Sequence, residues 1–337
     1  MAESTQQPAL PALQAEDTDD ASSIGGETLD YSTASLRSSI IDYRRENGRT
    51  YHRVSDGKYY IPNDEEEQDR LDFSHHLWLL TWDKELCNCP KKDGASRVLD
   101  VGTGTGIWAL DYAEAHPEAD VIGVDLSPIQ PNYVVPNCRF EVDDVDKEWT
   151  WSEPFDFIFI RSMMSSFKDW STVIAKAYDN LEPGGYLELH DNGFPLECDD
   201  NTLPEDSKVL KWTQLLIQAT DIIGQPGTVA PLFKKLLEEA GFENVEERRE
   251  RWPLNPWPKD PKAKELGLWC HSAIVKGVDS ISLALFTRIL GWSKEETIVF
   301  NAEVRNETKK SSIHGYFPVY AAWGRKPLKE ASEAPQQ

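Results

Sequence analysis

The 337 residues carry 58 acidic and 35 basic side chains, a net charge of −23. That balance excludes direct binding of naked nucleic acid, because phosphate neutralisation needs clustered Lys and Arg and no such cluster occurs. Hydrophobic residues at 39% and 12 Trp supply a sizeable core, and no apolar run of about 18 residues exists to insert into a membrane.

Residues 1–35 are polar and acidic and read as a disordered tail, since they bury too little apolar surface to offset ordering. Such an N-terminus is no signal peptide. Five cysteines without paired CxxC spacing fit free thiols in a reducing compartment. The expectation is a soluble intracellular protein, cytoplasmic or nuclear, without a basic run that resembles a nuclear localisation signal. Residues 36–95 read as a helical extension. Leu36, Ile40, Ile41 and Tyr43 fall on one face of a helix over about Leu36–Arg53. Asn63 then caps a second helix whose first turn is acidic and whose body carries Leu71, Leu77, Leu79 and Leu80.

From residue 96 the pattern changes. SRVLDVG predicts a buried strand, GIWALDYAEAHP a helix, ADVIGVDLS a second strand, CRFEVDDV a third and FDFIFIRSM a fourth. WSTVIAKAYDNL predicts a helix, and EPGG turns into the fifth strand YLELHD. Strands alternating with helices predict an α/β domain built on a parallel sheet. VLKWTQLLIQATDIIG and APLFKKLLEEAGF predict helices, ENVEERRERWPLN a sixth strand, LGLWCHSAIVKGVDSISLALFTRILGW a helix and YFPVYAAWGRKP the last strand. The domain therefore spans 96–327, with helical insertions at about 200–240 and 256–295, and residues 328–337 are a polar tail.

The stretch VLDVGTGTGIW places Gly102, Gly104 and Gly106 directly after the first strand. Glycines there let backbone approach a ligand closely at a helix N-terminus. A dinucleotide fingerprint requires a further glycine at position 107, where this chain has Ile107. Asp125 ends the second strand and can accept both hydroxyls of a ribose. Asp143 and Asp144 end the third, where an acceptor can take an adenine amino proton. Asp100 can hold the turn or meet a cationic amine.

In this order the motifs VLDVGTGTG, VIGVD, EVDDV and LEPGGYLELHD resemble those of the class I S-adenosylmethionine-dependent methyltransferases. NGRTYH, YYIPNDEEEQDRLDFSHHLWLLT, GVDLSPIQP and KDWSTVIAKAYDNLEPGGYLELHD narrow the resemblance to the fungal LaeA-like methyltransferases, including the VipC/VapB-type proteins of secondary metabolism. The resemblance implies a Rossmann-like fold with a seven-stranded, mostly parallel sheet and helices on both faces. It implies S-adenosyl-L-methionine as cofactor. Gly102, Gly104 and Gly106 would line its methionine end together with Thr103, Asp125 and Leu126 its ribose, and Asp144 and Val145 its adenine. Arg161 would stand where the crevice opens, and Tyr60 with the helix from Asp64 to Trp82 would lid it. The acceptor would be a small molecule or a protein, transferred to directly by SN2 displacement. A regulatory subunit working with velvet-type proteins is the alternative.

His190 and Asp191 follow the fifth strand and are the candidate catalytic bases. No metal is expected. His75 and His76 occupy successive helical positions about 100° apart, which suits packing or capping better than ligation. The NPPY motif of adenine and glutamine N-methylation is absent after the fourth strand, where the sequence is IRSMMSS. Trp252, Trp257, Trp269 and Trp292 lie in the segment expected to cover the acceptor.

Overall fold

In a computed structural model, residues 43–52 and 58–328 are described. The tails at 1–35 and 329–337, and the Leu36, Ile40 and Ile41 part of the first expected helix, lie outside them. The rest of that expected helix is a hairpin instead: β1 Arg44–Glu46 pairs antiparallel with β2 Arg49–Tyr51. Its two-residue turn has Asn47 at φ 54° and Gly48 at φ 88°. Two consecutive left-handed residues make the turn whose twist matches a hairpin, and Asn-Gly is its preferred sequence.

Helix α1, Glu65–Thr81, begins one residue later than expected. Asp64 is its cap, accepting from the Glu67 amide at 3.2 Å, and Glu65, Glu66 and Glu67 favour the positive end of the helix dipole. Asp64 also receives Arg49 through two hydrogen bonds of 2.6 and 2.7 Å. Asn63 is used differently: its amide donates to the Thr50 carbonyl at 2.8 Å and its side chain accepts from Thr50 Oγ1 at 2.9 Å. The hairpin is thus fastened to the start of α1.

The main sheet has seven strands: β3 Arg97–Val101, β4 Asp120–Asp125, β5 Cys138–Val142, β6 Phe155–Arg161, β7 Leu181–Asn192, β8 Glu243–Pro253 and β9 Tyr316–Arg325. Their spatial order is β5-β4-β3-β6-β7-β9-β8. Neighbours from β5 to β7 run parallel, and β9 is antiparallel to both β7 and β8. Alternate residues build two cores, one on each face. Val98, Val121, Phe157 and Phe159 meet Trp108 and Tyr112 of α2, Ile107–Ala115, on one side. Leu99, Ile122, Ile158 and Leu187 meet Val173 and Ile174 of α3, Trp170–Asp179, on the other. Both edge strands are rich in charge: Arg139 and Glu141 on β5, and the run Glu246–Arg251 on β8.

The first core continues into α4, Lys208–Ile222, and α6, Pro261–Ala284, while α5, Phe233–Glu239, belongs to the second. Helix α6 passes into a short π-helical turn, Leu285–Ile289. No described helix is long and apolar enough to cross a membrane. Helix α7, Lys294–Glu307, was not expected. Its signature was present in the sequence as Ser293 followed three residues later by Glu296, and the structure forms both reciprocal bonds of a capping box. Ser293→Ala should lower the unfolding free energy by about 0.5–2 kcal/mol, seen as a lower urea midpoint at unchanged slope.

Candidate active site

The strand order reverses between β3 and β6, and the carboxyl ends of these two strands open a crevice there, where such sheets bind ligands. A cavity at this point is lined by Asp100, Gly102, Thr103 and Gly104 from the first turn, Asp125 and Leu126 after β4, Asp143, Asp144 and Val145 after β5, and Arg161 from β6. Ten of the residues that the sequence assigned or considered for the cofactor therefore share one wall system.

The turn needs its glycines for two reasons. Gly102, Gly104 and Gly106 all have positive φ, at 73°, 59° and 82°. A Cβ on Gly102 would lie 2.3 Å from Met163 Sδ, and one on Gly106 would lie 2.3 Å from Phe140 Cζ. Gly104 has only Leu71 Cδ1 nearby, at 3.3 Å, and gives its open side to the cavity. Gly106 is thus required for packing against Phe140 and does not line the cavity, contrary to the expectation.

Each carboxylate in the crevice has a fixed orientation. Asp125 Oδ2 accepts from the Gly104 amide at 2.9 Å, and Oδ1 from the Ser127 amide at 2.9 Å. Each oxygen keeps a second acceptor site for a hydroxyl. Burial pushes its pKa up to about 6. Asp100 accepts from Thr103 Oγ1 at 2.6 Å, and burial raises its pKa to about 6 as well. Asp144 is buried and paired with Lys58, a wall residue that the sequence did not reveal. Arg161 is a second cation in the crevice wall, besides Lys58. Burial lowers its pKa to about 10, against support from the Asp100 charge, so it stays protonated.

Helix α1 forms the opposite wall through Leu71, Ser74, His75 and Trp78. These positions are spaced i, i+3, i+4 and i+7, one face of a helix, so the wall was legible as a pattern. Both ring nitrogens of His75 are engaged by protein groups. Arg161 Nη2 donates to His75 Nδ1 at 2.9 Å, which assigns the proton to Nε2, and Nε2 donates to Asp111 at 2.9 Å. Burial depresses its pKa, so His75 is neutral and positions Arg161. Tyr59 lines this cavity, whereas Tyr60, the residue expected there, does not: the Arg288 guanidinium lies 5.9 Å from its ring centroid.

A second cavity adjoins the first. Tyr59, Leu71, Ser74, Trp78, Ser162 and Ser166 line both. It is the roomier, at about 170 Å³ of free space against about 120 Å³. Trp78 Nε1 donates to Ser162 Oγ at 3.1 Å across this shared wall. Of the four tryptophans expected to cover an acceptor, Trp252 lines the second cavity. Trp257 stacks on His314, Trp269 packs on Phe73 and His76, and Trp292 packs on Phe286 and Phe300.

The two candidate bases part company because successive strand residues point to opposite faces. Asp191 lines the second cavity, fully buried; its Oδ1 accepts from the Asn192 amide at 3.0 Å and its Oδ2 has no hydrogen-bond partner. Burial lifts its pKa to about 7, against the pull of nearby backbone amides. His190 lines neither cavity. It is sealed between Trp78, Trp82 and Phe159, and its Nε2 donates to Glu188 at 2.5 Å. As a base facing a bound acceptor it is therefore corrected: its contact is with the protein's own carboxylate.

Because the folded Asp191 holds its proton more tightly than the unfolded one, its contribution to stability is fully present below about pH 4. It is lost as pH rises through about 7. Asp191→Asn removes that loss. Its melting temperature should exceed the parent's at pH 8, by on the order of 3 kcal/mol of stability, and the difference should shrink by pH 5. An equal gain at both pH values would contradict the raised pKa.

Among the described residues one group of possible metal ligands comes together, Cys87, Cys89 and Glu188, all buried. The carboxylate there is already engaged: it accepts from the amides of Asn88 at 2.7 Å and Cys89 at 2.8 Å, besides His190. Burial raises the Cys89 thiol well above its ordinary pKa.

A doubly wound sheet with a glycine turn at its switch point, and an acid after the next strand, defines an enzyme that holds a nucleoside-type cofactor. The chain belongs to the methyltransferase domain family, which matches residues 67–247, and with this strand order it is a class I S-adenosylmethionine-dependent member. It is 42% identical over 299 residues to the methyltransferase pytC of Aspergillus terreus, covering 88% of this chain and 92% of that one. It is 37% identical over 289 residues to the secondary metabolism regulator laeA of Aspergillus fumigatus, covering 84% of this chain and 77% of that one. A further regulator, LAE1 of Cochliobolus heterostrophus, is 36% identical over 289 residues, 84% of this chain and 94% of that one.

Proposed function

We propose that the chain transfers a methyl group from S-adenosylmethionine, held in the first cavity, to a small molecule held in the second. The observation that carries this reading is the shared wall: two cavities meet at Trp78, Ser162 and Ser166 beside the strand-order reversal. The residues fit the cofactor. A cradle whose turn has left-handed glycines, acids with spare acceptor sites and one protonated Arg complement an amino-acid end, a ribose and an adenine. Asp125 would hold the ribose, with Leu126 beside it. Asp144 and Val145 would flank the adenine. Asp100 would face the ammonium and Arg161 the carboxylate of the amino-acid end, with Gly102, Thr103 and Gly104 beneath. When bound, the cofactor supplies a methyl group already activated on a sulfonium.

What remains for the protein is alignment, exclusion of water and disposal of a proton. Orientation of two reactants supplies about 7–11 kcal/mol in well-aligned cases. Trp78 and Tyr59 line both cavities and would fix the angle between their occupants. Asp191 would take the acceptor's proton at Oδ2, the unpartnered oxygen. Near neutral pH, a carboxylate titrating at about 7 suits a general base.

The test is label transfer from methyl-tritiated S-adenosylmethionine into native-source extract, separated into small molecules, proteins and nucleic acids, with Asp125→Ala as control. Counts confined to the small-molecule fraction and absent with the variant are expected; counts in protein alone would sink the acceptor assignment. A second reading, a subunit of a regulatory assembly with velvet-type proteins, draws support from the two relatives named as regulators. A stable hetero-complex from native extract, with cofactor bound but no fraction labelled, would favour it.

A further inference from the structure

We propose that the second cavity selects a flat, largely apolar small molecule bearing one hydrogen-bond donor, a ring hydroxyl or ring N–H, and rejects anions. This inference rests on the reading of the first cavity as the cofactor site and adds the class of acceptor.

The walls set the shape. Tyr59, Trp78, Phe194, Trp212, Trp252 and Phe317 bring aromatic surface from a loop, two helices and the sheet side of the chamber. Offset and edge contacts with such rings favour a planar occupant. Several wall groups have already committed their polar ends to other protein groups. Trp78 donates to Ser162, Trp212 donates to Ser282 at 2.7 Å, and Trp252 donates to Thr81 at 2.7 Å. These indoles therefore present rings rather than donors.

The charges set the chemistry. Two ionisable side chains of opposite sign line the chamber, Arg70 and Asp191. Arg70 is committed: its guanidinium donates to the buried Glu67 at 2.9 and 2.6 Å, and Arg70 itself is largely covered. The pair leaves no free cation for an acidic ligand. Asp191 Oδ2 is the opposite case, a buried acceptor with no hydrogen-bond partner. Leaving such an oxygen unsatisfied costs about 1–3 kcal/mol, which a ligand donor recovers on binding. A ligand carboxylate would instead face a buried carboxylate with no compensating charge.

Isothermal titration of the full chain, saturated with S-adenosylhomocysteine at pH 8, tests this with four probes: 2-naphthol, indole, naphthalene and 2-naphthoate. The two donors are expected to bind at least about tenfold more tightly than naphthalene, the effect of one hydrogen bond to a charged group, and naphthoate not measurably. Asp191→Leu should abolish the preference for 2-naphthol over naphthalene. Asp191→Asn keeps the side-chain volume and an acceptor, and should admit naphthoate while reducing the preference for 2-naphthol. Equal binding of naphthalene and 2-naphthol, tightest binding of naphthoate, or no binding of any probe would overturn the inference. S-adenosylhomocysteine affinity, read first in each protein, separates the two levels: if it is intact while the probes fail, the acceptor class falls and the cofactor site stands. If S-adenosylhomocysteine itself does not bind, both fall.

Discussion

Asp125→Asn is expected to bind S-adenosylmethionine at least about a hundredfold more weakly than the parent while folding normally. Two charge-assisted hydrogen bonds to a ribose are worth about 1.5–3 kcal/mol each, and an amide side chain keeps only one acceptor oxygen. The same substitution should not harm the apo fold. Desolvation raises the pKa of this half-buried acid to about 6, so its stabilising contribution is complete below about pH 4 and is lost as pH rises through 6. Above pH 7 the ionised form is a burden on the folded state, and the neutral amide relieves it. One local cost opposes this, because the Gly104 and Ser127 amides both donate to the carboxylate. The expected pattern is an affinity lost by calorimetry with a melting temperature within a few degrees of the parent. Retained affinity would remove Asp125 from the cofactor site.

The largest stability effect is expected at Glu188. Its carboxylate is fully buried and gathers donors from three directions: the Asn88 and Cys89 amides and the His190 imidazole. Burial opposes ionisation, yet these bonds hold its pKa below the ordinary value, and His190 beside it stays neutral because its own burial outweighs the carboxylate's attraction. Glu188→Ala would orphan these donors, together with the Asn88 side-chain amide at 3.2 Å, and open a void. A loss of about 3–5 kcal/mol is expected, measured as a shift in urea midpoint. Glu188→Gln keeps the volume and half of the acceptors, so it should fall between the two. If the alanine and glutamine variants lose equal stability, neither the volume nor the retained acceptor contributes and only the charge counts; if neither loses any, the account fails.

Much of this architecture was legible in the order of strands and turns. SRVLDVG and ADVIGVDLS could only be buried strands, and both proved to be so, with Asp100 and Asp125 at their carboxyl ends. The errors came from reading one signal where two competed. The apolar spacing of Leu36, Ile40, Ile41 and Tyr43 carried the expected helix on to Arg53, but Asn47-Gly48 is a turn signal that overrides it over residues 44–51. Tyr59 and Tyr60 are adjacent aromatics, and only the path of the chain decides which one meets the cavity. His190 and Asp191 likewise differ by a single step along a strand, which sends one into a sealed aromatic cage and the other into the second chamber. The Arg161–His75–Asp111 relay depends on contacts 36 and 86 residues apart in sequence. No local pattern encodes those contacts.

The two charged edges of the sheet bear on behaviour in concentrated solution. A free strand edge is a template on which another chain can extend the ladder, the first step toward fibres. Here β5 is five residues long and carries Arg139 and Glu141, while β8 carries an unbroken charged run from Glu246 to Arg251. An incoming strand would have to strip water from these groups and match a mixed pattern of signs along the whole run. Resistance to edge-to-edge pairing is thus built into both margins of the sheet.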